Sequence, residues 1–463
     1  MAEWTRQALA GWGRWPVIES QVSRPERRSE LVRAVRETNG QGLLAHGLGR
    51  SYGDAALLQD GRVVLTRRLD RMLAFDEATG WLRCEAGVSY EDVLATFVPR
   101  GFFPPVTPGT KFVTFGGALA SDVHGKNHHG AGCFSDHVRS FDLLVGDGSI
   151  VTVTREGEPE LFQATAGGMG LTGVILALEV RLERIANPYS TMESVRVESL
   201  AHFFEVAAAS HGSTHTVSWI DCVTRGKGMG RGIFMRGGHA PADAPVPTRE
   251  GLAQAAKRLA HPVLEVPFDA PSWALNGATV RAFNEVYFRR HPRGARQSLV
   301  HYDPFFYPLD AVRGWNRIYG RRGFLQYQMV VPHDPEHRAI RAILDAITAS
   351  RMGSFLAVIK EFGDRDNGGL SFPRGGVTLA LDFANTGQPL LDLMLRLDAI
   401  TLEAGGRVYL GKDARLPRDT FRAMYPNWEA WKAVRDRWDP SGLFQSELGR
   451  RLGLCDRHDG GRP

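Results

Sequence analysis

Apolar positions along the first 190 residues alternate between helical and strand periods. In "RPERRSELVRAVRET", residues 24–38, Leu31, Val32 and Val35 share one face at helical spacing, and "NGQG" stops the pattern. "GLLAHG" reads as a strand that runs into "GLGRSYGDAA". "RMLAFDEATGWLRCEAG" predicts two strands joined by a tight turn at Ala78 to Gly80. "SYEDVLATFVPRG" predicts a helix capped by Ser89, boxed by Asp92 and ended near Pro99. "FDLLVGDGSIVTVT" predicts a hairpin turning at Asp147-Gly148. "PELFQATAGGMGLTG" starts as a helix and ends in glycines, and "VILALEVRLERI" alternates as a half-buried strand would.

Near "ANPYS", residues 186–190, the first unit is expected to end. Strand patterns follow at "HTVSWIDCV" and "FLQYQMVVP", and helical ones at "EHRAIRAILDAITAS", "LLDLMLRLDAITLEAGG" and "WEAWKAVRDRWDP". "RVYLGKDAR" reads as a strand and loop. A polar, proline-rich stretch covers about 237–275; structureless loops of that length are usually functional or disordered.

Composition narrows this picture. At 463 residues, 43% hydrophobic and 23% charged, the chain suits two or three globular domains that need no disulfide or metal to hold a core. Cys84, Cys133, Cys222 and Cys455 are far apart and form no CxxC pair, which fits a reducing compartment. The run "MAEWTRQALAGWGRWP" lacks the apolar core of a signal peptide, and no window of about 18 apolar residues predicts a membrane span. The expected location is therefore the cytoplasm. The net charge of +5 reads as an arginine-rich solubilising surface or as a patch for an anionic substrate or membrane. No zinc-finger, basic-zipper or RNA-binding signature is present, so nucleic acid is not an expected partner.

The candidate chemistry lies in the glycine runs. Gly168 to Gly173 matches GxGxxG, but a helix precedes it and a strand follows, the reverse of a dinucleotide fingerprint. A tight helix-to-strand turn is the expected structure. "PVTPGTKFVTFGGALASDVHGKNHHGAGCFSDHV", residues 105–138, is a long loop system of small residues, suited to backbone N–H nests for an anion. Its "HGKNHH" has no acid at ligand spacing and Lys126 would repel a cation, so no metal is expected.

"GLGRSYGDAA", "PGTKFVTFGGALASDVHGKNHH", "GGMGLTGVI", "GFLQYQ" and "VYLGKDAR" together resemble the vanillyl-alcohol-oxidase-like flavoproteins, from "GWGRWP" to "RRLGL". The resemblance implies an α+β, two-domain, PCMH-type FAD-binding fold. Residues 1–187 and a C-terminal return at 406–463 would bind FAD, and an inserted sheet-and-helix domain at 188–405 would bind substrate. It further implies that Ala45, His46, Gly47, Leu48, Gly49, Arg50, Ser51 and Tyr52 wrap the FAD pyrophosphate with Pro108, Gly109, Thr110, Val113, Gly116, Gly117 and Ala118. Ser121, Asp122, Gly125, Asn127 and His128 would continue along the cofactor, joined by Val174, Ile175, Tyr409 and Lys412.

The activity implied is oxidation of the 2′-hydroxyl of a polyprenylphosphoryl-β-D-ribose to the keto sugar, the first half of an epimerisation that an NADH-dependent reductase partner completes. Such an oxidation moves a hydride to the flavin and a proton elsewhere, so a fixed cation beside the reduced flavin helps. The resemblance gives that role to Lys412; by residue type alone, a lysine before Asp413 reads as a surface ion pair. His124 would sit at the active site, or be a core histidine bonded to backbone. Gln326 and Gln328 share one side of a strand, a substrate side by resemblance and an exposed polar face by residue type. Trp219, Lys360 and Thr378 would complete the substrate site, with Lys360 meeting the phosphate or a ribose hydroxyl. His124, Lys360 and water are all candidates for the proton acceptor.

Departures from the family pattern sharpen the expectation. Arg50 stands where covalent relatives carry His, and Thr110 near a position that is Cys in some, so FAD is expected without a covalent link. Thr378, Ala380 and Phe306-Tyr307 replace Asn, Cys and Tyr-His on the substrate side. The basic run "FRRHPRGAR", residues 288–296, reads as a mobile loop for a membrane surface, at the inner membrane face, or as a solvated loop. Two other functions fit the motifs: a soluble alditol, aldonolactone or sugar oxidase of the same fold, and a flavin-binding partner protein without turnover.

Overall fold

The short strands Thr5–Ala10, Val17–Ser23, Arg62–Leu65 and Leu43–His46 form a four-stranded sheet in that order. Its last three strands run parallel, which demands a crossover, and the helix Arg28–Arg36 provides it. That helix buries Leu31, Ala34 and Val35, at i, i+3 and i+4. Ala34 takes the place expected for Val32, which is only half-buried off the side of the stripe. The computed structural model describes residues 3–37, 40–245, 264–271 and 274–456.

A second, antiparallel sheet has the order Met72–Asp76, Trp81–Glu85, Val174–Arg181, Val138–Leu144, Ile150–Thr154. The predicted turns at 78–80 and 147–148 join its outer pairs. Val174–Arg181 does not alternate as predicted. It is the central strand, its first five residues are all buried, and Phe115–Ala120 packs across it. Both faces of a central strand are covered, so the two-residue period is lost from its sequence. Helix Tyr90–Phe97 begins with the predicted box: Ser89 Oγ accepts from the Asp92 amide, and Asp92 accepts from the Ser89 amide at 3.0 Å.

The third sheet is the largest. Its eight antiparallel strands are ordered Ala295–His301, Tyr189–Val197, Gly232–His239, His215–Ile220, Ala357–Phe362, Gly376–Ala384, Phe324–Val331, Arg407–Val408. Leu325, Tyr327 and Met329 point to one face, where Ile343, Leu344 and Ile347 of helix Arg338–Ser350 and Leu390, Met394 and Leu397 of helix Gln388–Glu403 bury them. The alternation then sends Gln326 and Gln328 to the opposite face. Cross-strand pairing puts Asp382, Ala380 and Thr378 on that face too, with Val358, Lys360 and Trp219. Arg407–Val408 pairs with Val330 and Met329, so the C-terminal return starts as the edge of this sheet.

The run at 288–296 is not a loop. It spans the end of helix Gly277–Arg290, a short turn, and the start of edge strand Ala295–His301. Of the stretch 237–275, residues 246–263 and 272–273 lie outside the described residues; 237–239 finish strand Gly232–His239 and Leu264–Glu265 pairs with Val312–Arg313. All four cysteines are free thiols. Among the described residues no helix is long and apolar enough to cross a membrane.

Candidate active site

The glycine loop after Leu43–His46 must pass between two other segments. Trp12 N–H donates to Ser51 O at 2.8 Å, and Tyr52 N–H donates to Gly411 O at 3.2 Å. A Cβ on Gly53 would lie 2.0 Å from Asp413 O, so only glycine permits this approach. The next residue, Asp54, does not face a ligand. Its carboxylate takes both prongs of Arg451, at 2.9 Å each, and Arg451 also reaches Asp413 at 2.8 Å. This buried clamp holds the C-terminal return against the loop and fixes the start of residue 412.

Behind the loop lies a cavity of about 1030 Å³. Ala45, Gly47, Leu48, Gly49, Arg50, Ser51 and Tyr52 line it, as do Pro108, Gly109, Thr110, Val113, Gly116, Gly117, Ser121, Gly125, Ile175, Tyr409 and Lys412. From the opposite wall come Trp219, Gln326, Gln328, Lys360 and His124. Seven expected residues do not reach it: His46, Ala118, Asp122, Asn127, His128, Val174 and Thr378. Each has another task or is packed away. The His46 ring bonds Ala56 O at 2.8 Å, and the Asn127 amide donates to Pro105 O at 2.7 Å. Asp122 accepts from the Ser135 amide, Asn367 and Ser371, pinning the loop from within. Ala118 and Val174 are core, and His128 lies against Phe362 at 4.5 Å. Thr378 is buried opposite Lys360 on the neighbouring strand.

The cavity fits a dinucleotide cofactor on its own chemistry. None of the backbone N–H groups from Gly47 to Ser51, nor those of Gly109 and Thr110, has a hydrogen-bond partner among the described residues. Amides left open in a row along a cavity wall are a nest for an anionic group such as a pyrophosphate. The position a Cβ of Gly109 would take is open space. Gly49, at φ +64°, turns the chain so that the nest is concave. The Arg50 guanidinium lies 4.0 Å from the Trp12 ring centre and 5.1 Å from that of Phe112. It braces the wall by stacking.

The opposite wall carries the titratable groups. Lys412 Nζ sits 3.8 Å over the Tyr52 ring. Burial pushes its ammonium down, and the Asp382 carboxylate pulls it back up. Burial likewise raises the Asp382 carboxyl, against the hydrogen bond from Gln326 and the charge of Lys412. Each charge supports the other. Among the described residues Lys360 has no such partner; its Nζ donates to Gly125 O, at 3.2 Å, and burial lowers it to about 8. His124 is held well below its ordinary value by burial, then by the charges of Lys360, His128 and Lys412, so its ring is neutral. The Gln328 amide meets its Nε2 at 3.0 Å. With the amide donating, the proton of the ring rests on Nδ1, which has no partner. Phe362, Phe372 and Tyr409 enclose that ring at 4.9 to 5.5 Å.

Sequence reasoning missed Asp382, the Asp54–Arg451–Asp413 clamp, and the walls made by Trp12 and Phe112. Asp382 left one signal: a lone acid inside "GVTLALDFA", an otherwise apolar strand.

Known proteins match this sequence. A family model described as an FAD binding domain matches residues 20–154, and one described as D-arabinono-1,4-lactone oxidase matches residues 332–452. The chain is 37% identical over 97% of its length, and 98% of the relative, to decaprenylphosphoryl-β-D-ribose oxidase of Mycolicibacterium smegmatis. It is 22% identical over 95% of its length, and 98% of the relative, to L-gulono-1,4-lactone dehydrogenase of Mycobacterium tuberculosis. D-arabinono-1,4-lactone oxidase of Eremothecium gossypii shares 26% identity over 39% of the chain and 35% of its own.

Proposed function

The chain belongs to the FAD-dependent oxidoreductase family of decaprenylphosphoryl-β-D-ribose oxidase, and from that premise we propose that it oxidises the 2′-hydroxyl of a polyprenylphosphoryl-β-D-ribose to the 2′-keto sugar. One observation supports this most. The open amides of Gly47 to Ser51 share a single cavity with half-buried Lys412, Lys360 and Gln326 and with buried Gln328. FAD, when bound, supplies the two-electron acceptor. The amide nests of 47–51 and 109–110 hold its pyrophosphate, and neither Arg50 nor Thr110 forms a covalent link to it.

The residues divide the remaining work. Lys412 is the fixed cation that offsets the negative charge accumulating as substrate is oxidised. Asp382 and Tyr52 keep that ammonium charged and in place. Lys360 takes the hydroxyl proton on its neutral amine, whose pKa of about 8 suits a base. Neutral His124, packed against Phe362, Phe372 and Tyr409, accepts from the Gln328 amide and fixes that side chain in the catalytic wall. Gln326 and Trp219 line the sugar, and Thr378 backs the wall behind Lys360. Residues 1–187 and 406–463 form the flavin half and 188–405 the substrate half. An NADH-dependent reductase completes the epimerisation, and the chain works in the cytoplasm against the inner membrane face.

The test is anaerobic. The flavin band of the purified holoenzyme is followed while a polyprenylphosphoryl ribose is added. The band bleaches with wild type, and Lys412→Ala retains flavin but bleaches about 10²- to 10³-fold more slowly. Bleaching by aldonolactones or alditols alone assigns the chain instead to the lactone oxidases, which the match at 332–452 favours. Unchanged kinetics in Lys412→Ala removes that lysine from the mechanism.

A further inference from the structure

Among the described residues eight large apolar side chains are exposed, and four of them fall between Leu264 and Val286. Helix Gly277–Arg290 carries two. Its inner face is anchored: Val280, Asn284 and Phe288 are buried, and Asn284 donates to Asp221 at 2.9 Å. Its outer face shows Ala282, Phe283 and Val286 at i, i+1 and i+4, with Val286 69% exposed. At the C-terminal end of this stripe stand Arg290, Arg293 and Arg296, all exposed and with no acidic partner among the described residues. Apolar side chains beside unpaired arginines form a surface that water solvates poorly and anions attract.

The face also borders the cavity. Phe283 is 47% exposed, yet it lines the cavity with Tyr287 and Phe355. Its ring meets theirs at 6.0 and 5.5 Å. The mouth of the cavity therefore opens beside the exposed stripe, and its rim is aromatic.

We propose that the outer face of helix Gly277–Arg290, with Arg293 and Arg296, docks on an anionic lipid bilayer, and that the cavity opens against that bilayer. Charge and apolarity favour this occupant, and the need for it rests on the lipid-linked substrate proposed above. Phe283 and Val286 enter the headgroup boundary while the arginines meet lipid phosphates. A substrate whose chain stays in the membrane then reaches the cavity without leaving it.

The experiment is co-sedimentation of the full-length holoenzyme with vesicles, without substrate. Vesicles of phosphatidylcholine with added phosphatidylglycerol should carry the protein down, pure phosphatidylcholine much less, and added salt should weaken binding. The combined variant Val286→Asp, Arg290→Glu, Arg293→Glu should bind on the order of tenfold more weakly or worse. Its flavin should still be bleached by a short-chain, water-dispersible substrate analogue at the wild-type rate. Equal sedimentation of variant and wild type overturns the proposal, as does absence of binding to the anionic vesicles. A dimer in solution that the variant dissociates assigns the face to a second copy and also overturns it. Failure of the short-chain substrate with wild type overturns the substrate reading and leaves the vesicle result standing.

Discussion

Three lysines line one cavity; Lys126 is tied to Phe305 O, and the surroundings of the other two separate them. Lys412 faces Asp382; Lys360 faces only a carbonyl. The proposed roles need Lys412 charged and Lys360 neutral, so the rate of flavin reduction should be bell-shaped in pH. It rises through about 8 as Lys360 loses its proton. It falls as Lys412 loses its own; burial also lowers that ammonium to about 8 against the pull of Asp382, so the bell is narrow. Lys360→Met should flatten the rising limb and slow reduction about 10²- to 10⁴-fold. Asp382→Asn should leave the rising limb in place and move the falling limb to lower pH. Stopped-flow reduction across pH reads both, and a falling limb unmoved in Asp382→Asn removes that carboxylate from the support of Lys412. Lys412 and Lys360 were legible as residues because their segments resemble a family. Their difference was not, because Asp382 and Lys412 come together only in the fold, 30 positions apart in the chain.

At the scale of elements, the predicted strands and helices formed where polar and apolar positions alternate on one exposed side. The pattern failed where an element is covered on both faces, as in Val174–Arg181. The glycine loops were legible because a row of open amides needs glycine to form. The clamp that steadies one of them was not, because Asp54 and Arg451 lie 397 positions apart. Arg451→Ala leaves two buried carboxylates, Asp54 and Asp413, side by side. It should cost about 3–5 kcal/mol of stability, read by chemical denaturation. Arg451→Lys keeps the charge and loses the fork, and should recover only part of that. Wild-type stability in Arg451→Ala would mean that the clamp does not hold the return in place.

At the scale of the whole molecule, three sheets and their helices converge on one cavity, with the nest in one wall and the lysines in another. Filling it couples the walls. Saturating FAD, at about 100 times its dissociation constant, should stabilise the folded chain by about 2.7 kcal/mol and raise its melting temperature by about 3 °C. Scanning calorimetry of apo- and holoprotein should show one transition moving as a unit. Two transitions, only one of them sensitive to FAD, would mean that the substrate half folds independently of the cofactor.

The long reach of the Arg451 fork also bears on how the enzyme comes into being on the ribosome. Synthesis runs from the amino end, so the flavin loops are made early and Lys412 and Arg451 late. Until those last residues leave the exit tunnel, the amide nest has no closing wall and the cavity lacks Lys412. A nascent chain is thus barred from oxidising anything, and productive cofactor capture becomes one of the final events of its maturation.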